Sequence, residues 1–202
     1  MTETPSETSP SARKRMLLLA VPVALLMGFV GLFSSATTTD LVVGCLEGGG
    51  FLSPVVACTY LEVVRDPDPN VPDPEPSAVA SPTSAHPQTI LGFTLADYDA
   101  SNPRAGALVD HFIAKGIDWG NPHDVGLTPL HMAVLSADED LVERFVAAGA
   151  VPSARADDPG KPYHGQSVLE LLAQLRSGGP EGTPSAGTVE ALNRIEKRLT
   201  AK

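Results

Sequence analysis

Two segments of this chain carry one pattern 33 residues apart, and that repetition limits the fold more than any other feature. LVDHFIAKGID, Leu108 to Asp118, lies over LVERFVAAGAV, Leu141 to Val151, with Leu, Val, Phe, a second apolar residue and Gly in the same places. Apolar residues at helical spacing closed by a glycine describe an amphipathic helix with a left-handed C-cap. A unit this short cannot bury its apolar face alone, so neighbouring units must stack beside it.

The stretch from Gly126 to Ala150, GLTPLHMAVLSADEDLVERFVAAGA, spells out one whole unit. Pro129 suits the first turn of a helix, where its missing amide costs nothing. Leu130, Ala133 and Val134 form a short apolar stripe, and Val142, Phe145 and Val146 form the stripe that faces it. Asp138 is placed to cap the second helix, with Glu139 and Asp140 in its positive first turn.

This stretch resembles an ankyrin repeat, whose pattern is G-x-T-P-L-H-x-A-A, a turn, then V-x-x-L-L-x-x-G-A. Gly126, Thr128, Pro129, Leu130, His131, Ala133, Val142, Gly149 and Ala150 match at fixed spacing, and Ala137 stands where the family's turn usually has Gly. The preceding unit, from Gly92 to Val125, keeps its second helix but has LADYDA as its first, without the Pro-Leu-His core. The following unit begins at Gly165, has Glu170 in the place of the histidine, and reaches Val189 and Leu192 after an insertion. Val189, Leu192, Ile195 and Leu199 then share one face of a terminal helix. The resemblance implies an all-α fold, a short ankyrin-repeat solenoid of three units with atypical ends, and a role in protein recognition.

The N-terminus sets the address. Residues 1–15 form a Ser, Thr and Pro-rich tail ending in Arg13, Lys14 and Arg15; Met16 to Phe33 then run without a charge. Such a run is near the lower limit for spanning a membrane as a helix, and the basic cluster before it predicts a cytoplasmic N-terminus with the remainder exported. Ser34, Ser35 and Ala36 leave a cleaved signal peptide open as the alternative; the length of the run favours a retained anchor over residues 16–36, in a bacterial inner membrane.

Beyond it, residues 37–65 form a small segment holding both cysteines of the chain, Cys45 and Cys58, and an even count in an oxidising compartment predicts a bridge between them. Two buried thiols are the alternative. Residues 66–87 are proline-rich and read as a semi-rigid spacer that holds a repeat domain, residues 88–202, away from the membrane.

From Thr37 onward 11 Lys and Arg face 22 Asp and Glu. So acidic a surface excludes nucleic acid and anionic lipid as partners and suits a basic protein. No cofactor motif is present: Gly48 to Gly50 precede no lysine and helix start, and Asp97 and Asp99 lack the spacing of a calcium loop. Ser167 lacks the closing glycine of a nucleophile elbow, and His131 has no ligand-spaced partner. Neither an enzyme nor a small-molecule substrate is expected.

In the ankyrin arrangement His131 ties its own repeat to the neighbouring one, with Thr128 as partner, so it acts as a structural peg. Recognition is then expected on the turns and on the first helices. Trp119, Asn121 and His123 lie in one turn, Arg155, Lys161 and Tyr163 in an extended one, and Met132 and Leu135 on the concave side of the first helix. An N-terminal anchor, a proline spacer and a short acidic stack are similar to the layout of immunity proteins that neutralise secreted antibacterial toxins. A periplasmic scaffold, or an accessory protein of envelope oxidative stress, is the competing expectation.

Overall fold

A computed structural model describes residues 36–47, 53–71, 88–178 and 184–201. The anchor expected over 16–36 lies outside these apart from Ala36, as do residues 72–87 of the expected spacer. Among the described residues no helix is long and apolar enough to cross a membrane. They are all-α: eight α-helices and no strand, with two isolated bridges, Asp124 to Leu127 and Arg155 to Ser167.

Six of the helices form three antiparallel pairs. The first pair is α3, Ile90–Ala96, with α4, Pro103–Lys115; the second is α5, Pro129–Leu135, with α6, Glu139–Ala147; the third is α7, Val168–Arg176, with α8, Ala186–Thr200. The two helices before them, introduced below, are α1 and α2. First helices pack on first helices, α3 on α5 and α5 on α7, and α6 packs on α8. The apolar stripes meet inside: Leu108, Val109 and Phe112 in the first pair, Leu130, Ala133, Val134, Leu141, Val142 and Phe145 in the second, Val168, Leu172, Leu192 and Ile195 in the third, all nearly free of solvent.

Each start is specified locally. Thr89 accepts the Gly92 amide, Asn102 that of Arg104, Asp138 that of Leu141 and Ser185 that of Thr188. Ser167 and Glu170 form a reciprocal capping box at α7. Gly116 and Gly149 take φ of 97° and 108° at the ends of α4 and α6, values that a side chain resists.

The first pair departs from the expected register. Its first helix is not LADYDA but ILGFTLA, beginning at Ile90, and Asp97 to Ala100 follow it as a turn and open loop. Thr89, Thr128 and Ser167 are the three first-helix caps, each 39 residues from the next. Equal spacing hides unequal units. Relative to the second unit, the first has a longer loop between its helices and a longer second helix, and the second has the longer connection to its successor. Ile90 in place of proline and Gly92 in place of histidine concealed the start.

The expected separation of residues 37–65 from the repeat domain is also corrected. α1, Thr38–Leu46, and α2, Pro54–Tyr60, continued by a π-helical turn Leu61–Arg65, form a hairpin in the same compact unit as the three pairs. α1 packs against α3 and α4 and buries Leu41, Val42, Cys45 and Leu46 completely or nearly so. Asn102 Nδ2 donates to the Leu46 carbonyl at 2.6 Å. Cys45 and Cys58 are bridged, with Cα atoms 4.8 Å apart. Closing so short a loop restricts the unfolded chain by roughly 3 kcal/mol.

The first residues of the expected spacer are likewise bound down. Lys115 Nζ reaches Asp66 Oδ1 at 2.7 Å, Asn70 Nδ2 donates to the Gly116 carbonyl at 2.9 Å, and the Asp118 amide donates to Asn70 Oδ1 at 2.7 Å. Pro69 is buried. The reason is geometric: an end of a helix stack presents apolar surface to water unless something covers it, and this hairpin covers it.

Ala137, between α5 and α6, has φ of 52° and so pays the steric cost of a Cβ in the left-handed region, roughly 1 kcal/mol. Ala137→Gly is therefore expected to stabilise the fold, by up to about 1 kcal/mol in urea unfolding. Gly92→Ala should act in the opposite direction. A Cβ there would lie 2.1 Å from the His123 carbonyl oxygen, and a loss of about 2 kcal/mol or more is expected in the same assay.

Candidate recognition surface

Two buried histidines, each bonded to a threonine, tie successive pairs together. His131 is fully buried; its Nδ1 lies 2.7 Å from Thr128 Oγ1 and its Nε2 lies 3.1 Å from the carbonyl of Gln166, just before the third pair. A carbonyl only accepts, so Nε2 carries the proton and Nδ1 accepts from the threonine hydroxyl. Thr128 thus spends its side chain on the imidazole and makes no cap bond of its own.

His123 repeats this chemistry. It is 1% exposed, its Nδ1 lies 2.9 Å from Thr89 Oγ1 and its Nε2 lies 3.0 Å from the Asp118 carbonyl. Its backbone carbonyl takes the Thr89 amide at 2.9 Å. Expected as a residue facing a partner, His123 is instead a peg between the first and second pairs. The threonine that would have revealed this, Thr89, lies 34 residues away in sequence.

Burial lowers the pKa of both imidazoles, against opposing contributions from the carbonyls of Asp118 for His123 and Gln166 for His131. Burial thus favours the neutral ring at both positions, and a neutral ring protonated at Nε2 satisfies the bonds on both sides.

Trp119 also turns inward. Its ring packs on Phe145 of the second pair, centroids 5.2 Å apart at 54°, and remains only partly exposed. Tyr163 is half-buried and donates its hydroxyl to the Val125 carbonyl at 3.0 Å; burial first, then Asp158 and Asp124, raises its pKa. Beside it the Asp157 amide donates to the Gly126 carbonyl at 2.7 Å, and a Cβ on Gly126 would stand 2.4 Å from the Asp157 carbonyl oxygen. The extended turn therefore lies flat on the turn before it. Asp158 is buried within that turn, a role its acidic type gave no reason to expect.

The other named residues face water. Asn121 is exposed and bonded to the Asp118 carboxylate. Lys161 is exposed, and Arg155 is an exposed partner of Glu170 at 3.3 Å, a pair worth little in solvent. Leu135 is 43% exposed and Met132 is half-buried one turn before it on α5. Counting from the three caps, Phe93 and Ala96 on α3 occupy the positions of Met132 and Leu135. Neither was anticipated, because the register of α3 was not. Neither α3 nor α5 contains a charged residue, whereas Asp97, Asp99 and Asp118 are exposed nearby in sequence.

No family model, curated protein or solved structure matches this chain.

The neutral histidines fix a pH dependence. Their folded pKa values lie below the ordinary 6.5, so the unfolded chain takes up protons first as pH falls. Stability is expected to be fully present above about pH 6.5 and to decline below it, read as a falling urea midpoint between pH 7.5 and 5. His131→Ala, which strands the Thr128 hydroxyl and the Gln166 carbonyl, should cost about 3 kcal/mol at pH 7.5 and reduce the slope.

Proposed function

We propose that this chain is an ankyrin-type, protein-binding module, tethered through residues 16–33 to a bacterial inner membrane, with its helix stack in the periplasm, where it binds and neutralises a secreted antibacterial toxin. The observation that carries the reading is the uncharged outer face of the first helices, Phe93 and Ala96 beside Met132 and Leu135, set in an otherwise acidic chain. Ankyrin-type stacks use first helices and turns for recognition. An apolar patch with a charged surround is a common form for a protein interface, since burial gives affinity and charge gives rate and orientation. Acidic surroundings favour a basic partner, and seating such a partner's catalytic face on the stack would occlude it.

Residues that hold the pairs together separate from residues that touch the partner. Leu135→Glu should weaken capture of the toxin at least tenfold, about 1.4 kcal/mol, with an unchanged unfolding midpoint, because Leu135 is already exposed. Trp119→Ala should lower the midpoint instead, through loss of its contact with Phe145. The physiological test is rescue: cells producing the toxin encoded beside this gene in their periplasm should survive only when they also make this chain. An absent neighbouring toxin, with a deletion that alters peroxide survival alone, would replace this reading with an envelope stress role.

A further inference from the structure

We propose that the Cys45–Cys58 bridge is a thiol–disulfide exchange site, attacked at Cys58, whose reduction by a dithiol releases the N-terminal hairpin from the helix stack. The two sulfurs differ in access. Cys45 is fully buried, whereas Cys58 is partly exposed and lines an open cavity of about 180 Å³ between α2 and α4. Val55 and Ala107 give that cavity apolar surface, and Glu62 and Arg104 contribute one charge of each sign. Which sulfur of a disulfide is attacked depends on access, and a guanidinium nearby favours an approaching thiolate.

The exchange balances as a two-electron transfer. A thiolate of the dithiol bonds to Cys58 Sγ, the Cys45–Cys58 bond breaks, and its electron pair leaves on Cys45 Sγ, which takes up a proton. The second thiol of the reductant, on losing its proton, attacks the reductant's own sulfur in the mixed disulfide. Cys58 departs as a thiolate, and the reductant is left as a disulfide.

Release follows from how the hairpin is built. α1 has nine residues and α2 seven, extended by the five of its π-helical turn, so neither segment exceeds the roughly 12 residues below which an isolated helix is marginal in water. The bridge is the covalent restraint on their pairing, and α1 is the helix that packs on the first pair.

Two measurements on the full chain in detergent test this. Brief treatment with limiting glutathione, an acid quench and peptide mapping should find the mixed disulfide on Cys58 at least tenfold more often than on Cys45. Complete reduction with dithiothreitol should then speed amide hydrogen exchange of residues 38–46 and 54–65 at least tenfold and leave residues 129–147 unchanged. Glutathione equally or preferentially on Cys45 would overturn the assignment of the attacked sulfur. Unchanged exchange in the hairpin after reduction, or equal acceleration across residues 129–147, would overturn its selective release.

Discussion

A neutral imidazole bonded on both sides holds each junction of this stack. A threonine hydroxyl donates to Nδ1 and Nε2–H donates to a main-chain carbonyl, at His131 and again at His123. Helix pairs of this size bury too little on their own, so the join between pairs decides whether the chain folds. A buried histidine left half-bonded would cost more than it contributes, and here both nitrogens are satisfied.

Around those joints the structure closes its exposed parts in two ways. At the N-terminal end the bridged hairpin covers the first pair with Leu41, Val42 and Leu46, and Asp66 and Asn70 fasten the strand of chain that leaves it. At the turns, Tyr163 and the Asp157 amide hold the longer connection against Val125 and Gly126. What stays exposed is Ala96 on α3 and Leu135 on α5, together with Asn121, Arg155 and Lys161 on the turns.

Much of this was legible in the residues. The second pair, its caps and its stripes follow from Gly126 to Ala150, because proline, a threonine before it and a capping aspartate act through local geometry. The pairing of Cys45 with Cys58 followed from their number and placement. The register of α3 did not, since Gly92 replaces the histidine and the ring that does its work, His123, comes from a distant turn. Trp119, His123 and Tyr163 read as surface residues for a similar reason: aromatic and polar side chains in a turn look exposed until the next unit is laid over them. The docking of the hairpin was illegible because from Leu41 to Leu46 α1 carries no polar side chain besides the cysteine, and its sequence names no particular surface to cover.

The most direct test is the protonation of the two pegs. Imidazole ¹⁵N shifts of the folded chain at pH 7.5 should show His123 and His131 as neutral rings protonated at Nε2. A proton on Nδ1 in place of Nε2 at either ring would contradict the joints on which the stack is built.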